Sequence, residues 1–87
     1  GRHATALERV DETVLRSRAL WSAGAASGLT HSAWLGQALL AQAVVRKAAG
    51  QGDAYRHSVE EALPHLQATM GNSAPATREA VALLAPR

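Results

Sequence analysis

Asp53, His57, Glu61 and His65 recur at every fourth residue. Four residues turn a helix by about 400°, so this spacing sets all of them on one face. Two imidazoles and a carboxylate on one face have the makings of a divalent-metal site. The competing reading is a polar outer stripe opposite Val59 and Leu66. In that reading Asp53 is spent as a helix cap, and Pro64 disturbs the alignment of His65. The second reading carries more weight, and no metal or cofactor is expected. His3 lies in a frayed end and His31 in the first turn of a helix, each without an obvious partner. The serines stand in turns or near helix starts, where their hydroxyls serve the backbone. There is no Gly-x-Ser-x-Gly elbow, phosphate loop or paired-carboxylate signature. No catalytic residue is named, and the chain is not expected to be an enzyme.

The elements that must position these residues are helices. Residues Thr30–Ala49, THSAWLGQALLAQAVVRKAA, form the longest apolar segment and are apolar nearly all the way round. A helix of that kind needs cover on more than one side. Alanine makes up 20 of the 87 residues, and aromatics are limited to Trp21, Trp34 and Tyr55. Small side chains at this density favour close helix packing. The chain has no cysteine, which suits a reducing compartment, and a cytoplasmic location is the default expectation. Gln37, Gln42 and Arg46 interrupt the central segment, so it is too short an apolar run to span a membrane. The net charge of +2 comes from dispersed arginines, weak grounds for a nucleic-acid partner.

Four helices are expected in order. The first covers Thr5–Ser22, opened by a Thr5–Glu8 capping box and buried along Leu7, Val10, Val14 and Trp21. Arg2, Arg9 and Arg16 recur on another, solvated face, where Glu12 lies four residues before Arg16. The central helix is expected to be capped by Thr30, with Leu29 and Trp34 placed for a hydrophobic staple. It ends at Gly50-Gln51-Gly52. Asp53 is expected to cap the third helix, about Ala54–Met70, whose stripe is Val59, Ala62, Leu63 and Leu66 and which Pro64 should kink. Pro75 opens a short last helix, with Ala80, Val81, Leu83 and Leu84 inward and Pro86 as its stop. The short connections favour antiparallel neighbours. A faint repeat at an offset of 45 pairs Val10 with Tyr55, Val14 with Val59, Trp21 with Leu66 and Leu39 with Leu84. That period marks stacked helical hairpins.

Two stretches carry a family resemblance. Leu63–Ala85, LPHLQATMGNSAPATREAVALLA, resembles the junction between tetratricopeptide repeats of the kinesin-light-chain-like bacterial type. Met70-Gly71 stands for that family's Leu-Gly and Ala74-Pro75-x-Thr77 for its His-Pro segment. Ala38–Ala62 is similar to the first helix, turn and second-helix start of such a repeat. The resemblance implies an all-α, right-handed array of antiparallel hairpins. Residues 5–22 would be the second helix of a preceding repeat, 30–70 one hairpin and 75–85 a capping helix. It also implies a module that binds a peptide or protein. Solenoids usually need at least about three repeats, so burial is expected to come from further repeats of a longer chain or from a second copy. A homo-oligomer is one of those outcomes.

At 100° per residue, Leu35, Leu39 and Ala43 share one sector of the central helix, while Ala33, Gln37, Leu40 and Val44 share the opposite one. The family comparison aligns Gly36 with its small first-helix residue, which implies that Ala33, Gln37 and Leu40 lie on the concave side. Ala33, Gln37, Leu40 and Val44 are therefore the expected partner-binding residues. Leu40→Glu is expected to abolish binding while the helix still forms. The alternative is a homodimerising regulatory domain with a helix-turn-helix-like DNA-binding segment at 22–35, SAGAASGLTHSAWL. It offers His31, Ser32 and Gln37 to bases, but its cations, Arg46 and Lys47, stand at the far end of the helix.

Overall fold

The computed structural model describes residues 2–25, 28 and 30–85. It is all-α, with α1 at Arg2–Ala25, α2 at Ala33–Ala48, α3 at Gly52–Met70 and α4 at Pro75–Leu84. Each helix packs on its neighbours in sequence, and α2 is held between α1 and α3. No helix among the described residues is long and apolar enough to cross a membrane.

The core forms where the apolar stripes meet. Leu35, Leu39 and Ala43 of α2 are sealed against Val59, Ala62 and Leu66 of α3, with Val14 added from α1 and Ala80 from α4. Each fully buried leucine or valine contributes about 1.5–3 kcal/mol over an exposed one. The residues paired at an offset of 45 all point inward or lie half-buried.

Several boundaries differ from expectation, each for a local reason. The first helix begins at Arg2, so Thr5 lies inside it and the Thr5–Glu8 capping box does not mark its start. The Glu12–Arg16 pair does form, at 2.6 Å on the exposed face. Ser32, not Thr30, caps α2: its backbone is extended and its Oγ accepts the Leu35 N–H at 3.1 Å. Leu29 and Pro86 lie outside the described residues. The third helix starts two residues early, at Gly52, with Gln51 at the cap position and Asp53 in the first turn. A carboxylate in the first turn of a helix is favoured by the helix dipole. Pro64 stands inside an α3 that runs unbroken to Met70. Gly50 and Gly71 supply the left-handed exits of α2 and α3, with φ of 78° and 87°. Val81 is turned outward, while Ala80 is sealed and Leu83 and Leu84 are half-buried.

Candidate interaction surface

Helix α2 divides sharply into two faces. Leu35, Gly36, Ala38, Leu39, Leu40, Gln42 and Ala43 are buried. Trp34, Gln37, Ala41, Val44 and Ala48 are exposed and fall within about 80° of arc. That stripe carries no charge. Trp34, at 65% exposure, and Val44, at 43%, are its large apolar members.

The expected partner-binding residues are thereby split. Gln37 and Val44 lie on the open stripe and Ala33 is half-buried at its edge. Leu40 is only 7% exposed and belongs to the core. The assignment of Leu40 to a free face is corrected, because cover from the neighbouring helices reaches farther round α2 than the apolar pattern suggests. Leu40→Glu would therefore unfold the site rather than probe it. Ala41 takes its place on the stripe.

Shallow concavities line the seam between α1 and this stripe. One, of about 360 Å³, is formed by Thr13, Arg16, Ser17, Leu20 and Trp34. Another, of about 230 Å³ near the opposite end, is formed by Arg2, His3, Ala6, Val44, Val45 and Ala48. Leu20 is itself exposed, so each end of the seam offers apolar surface. On the α3 side, the Gln37 amide donates to the Met70 sulfur at 3.6 Å.

The opposite side of α2 holds a polar bridge between α1 and α3. Gln42 is buried, donates to Asp11 Oδ1 at 2.7 Å and accepts from the Ser58 hydroxyl at 2.8 Å. Ser58 in turn accepts from Arg46 Nη1 at 2.8 Å, and Arg46 also reaches the Ala54 carbonyl at 3.3 Å. Farther along, Arg18 grips both carboxylate oxygens of Glu61. That hydrogen bonding raises the Arg18 pKa above its ordinary value. These groups satisfy one another and line a groove of about 380 Å³, so its polar walls serve as a brace between α1, α2 and α3.

The i+4 series Asp53, His57, Glu61, His65 does not converge. Glu61 is taken by Arg18, and His65 is 5% exposed, turned into the protein rather than along a solvated stripe. Among the described residues, no group of three metal-ligating side chains comes together. His65 Nδ1 instead accepts the backbone N–H of Ser32 at 3.0 Å. Its ring stands edge-on to Trp21 at 4.9 Å and to His31 at 5.4 Å. His31, expected to lack a partner, thus has this contact and Thr30 Oγ1 at 3.2 Å from its Nδ1. Burial, and then the nearby His31, lower the His65 pKa below the usual histidine range.

No family model, curated protein or solved structure matches this chain.

Residue-by-residue reading missed Trp34, Ala41 and Leu20 as surface. The available signal was the spacing 34, 37, 41, 44, 48, which alternates three and four. It was overshadowed by Leu40, the most apolar residue of the segment's flank.

Proposed function

We propose that this chain is a non-catalytic protein-interaction module that holds another protein against the outward face of α2. The observation that carries the reading is the uncharged stripe Trp34, Gln37, Ala41, Val44, Ala48, open to solvent between two helices that brace it. A tryptophan at 65% exposure is a strong anchor for a partner. The resemblance to tetratricopeptide repeats supports the same use of the surface, since such arrays bind through their first helices.

A photo-crosslinking side chain at position 41, with position 60 on the exposed side of α3 as control, tests the proposal. A protein adduct from 41 and none from 60 is the expected result. Equal labelling at both positions, or a gel shift with duplex DNA that Ala41→Glu leaves intact, would favour the helix-turn-helix reading of residues 22–35 instead.

A further inference from the structure

The spacing of the α2 stripe and the charge of its border together define what fits it. Residues 34, 37, 41, 44 and 48 follow the alternating three-and-four interval of a coiled-coil seam. All are exposed, over a helix about 24 Å long. Ala41 and Ala48 let a second helix approach closely, and Trp34 closes one end. A straight helix satisfies such a stripe throughout its length, whereas an extended strand has a period of two and meets it only in places.

The border is set by α1. Its residues Ala6, Thr13 and Leu20 recur every seven along the seam, and Arg2, Arg9 and Arg16 recur every seven beside them. The hollows along this side are lined by those arginines and by no aspartate or glutamate. Of the α1 carboxylates, Asp11 is turned into the brace on the far side and Glu12 is held by Arg16. Glu8 is exposed and lies about 100° round the helix from Arg9.

We infer that the occupant is an amphipathic helix of another protein, carrying carboxylates along the edge that lies over α1. This rests on the interaction-module reading and narrows it to one partner chemistry. A second copy of this chain fits less well. Its own stripe has no carboxylate, and pairing the two stripes would bring a second arginine row to the interface in which only Arg16 has a counter-charge, Glu12. An extended polyanion such as duplex DNA would use the arginines but leave the apolar stripe wet.

The test uses the full chain and two monomeric, stapled helical peptides of three heptads. Both have Leu at the seam positions; one has Glu along its edges and the other Lys. Fluorescence anisotropy is expected to show the Glu peptide binding at least tenfold more tightly than the Lys peptide. Combined Arg2→Gln and Arg9→Gln should weaken it about fivefold, as loss of two exposed ion pairs implies, since Arg16 already holds Glu12. Ala41→Glu should abolish it, with circular dichroism unchanged. Equal binding of both peptides overturns the acidic-partner inference but leaves the interaction module standing. Binding of neither peptide overturns the inference, and equal labelling from positions 41 and 60 as well removes the interaction module too. Concentration-dependent dimerisation lost in Ala41→Glu would make a second copy the occupant and overturn the inference. Tighter binding of a duplex DNA that depends on the arginines but not on Ala41 would overturn it as well.

Discussion

At the scale of single residues, His65 has the most to lose from a proton. Because Nδ1 accepts the Ser32 N–H, its neutral form carries hydrogen on Nε2. Protonation must then occur at Nδ1 and break that bond. The groups facing the ring are His31 from the connection, Arg18 from α1 and Glu61 from α3, and only Glu61 favours the charged form. With the folded pKa lowered, the unfolded chain binds the proton more readily, so stability is lost as pH falls through the ordinary histidine value of about 6.5. The unfolding equilibrium constant should rise as pH falls from about 7.5 through 6.5, with a slope of at most tenfold per pH unit. Denaturant titrations across that window check it, and His65→Gln should flatten the curve. Thr77 presents the reverse case. It is fully buried and its hydroxyl has no partner among the described residues. Thr77→Val should raise stability by about 1 kcal/mol, measured as a shift in the urea midpoint at constant slope.

The same two residues show where the sequence was legible. The helix start before Thr77 was announced by Gly71 and Pro75, but the burial of Thr77 itself was not. The stripes Leu35/Leu39/Ala43 and Val59/Ala62/Leu66 were equally plain, since burial there follows directly from helical period. His65 was not legible. Its i+4 relation to Glu61 placed it on a polar face, whereas its burial depends on the Ser32 backbone and Trp21, both distant in the chain. Leu40 and Ala41 were confused for a related reason. Periodicity gives the direction of an apolar face but not how many degrees of it the neighbours cover.

At the scale of elements, the α2–α3 contact depends on how closely the two helices approach at Gly36. A Cβ there would lie 3.0 Å from the His65 Cβ and 3.1 Å from Leu66 Cδ2. The first of these is fixed to the α3 backbone and cannot swing aside. Alanine in place of a mid-helix glycine ordinarily gains about 1 kcal/mol. Here the overpacking outweighs it, and Gly36→Ala should destabilise the protein by about 1–3 kcal/mol, read from thermal or urea unfolding. The Gln42 brace joins three helices through one amide. Gln42→Ala should cost about 2 kcal/mol, because Asp11, Ser58 and Arg46 each lose part of a shared network. Double-mutant cycles with Ser58→Ala should show strong coupling.

At the scale of the whole molecule, contacts are unequal along the chain. Helix α2 is packed by α1 and α3, whereas α4 rests mainly on α3 and buries only Thr77 and Ala80 fully among its residues. The radius of gyration is 12.8 Å, with extents of 39 × 27 × 18 Å, a flattened rather than spherical body. Amide hydrogen exchange should therefore be slowest in the middle of α2 and α3 and faster in α4 and the first turn of α1. Uniform protection across all four helices would contradict a stacked-hairpin arrangement and indicate a single closed core.

The bond from Ser32 to His65 also constrains the order of events as the chain is made. Its two ends lie 33 residues apart in sequence. A ribosome releases the α2 segment well before the residue that anchors its start. During that interval Leu35, Leu39 and Ala43 have no α3 to cover them. The nascent chain thus passes through a stage with an unanchored apolar helix, the kind of surface that chaperones retain. In the folded protein α3 both covers the inward face of α2 and fixes its beginning.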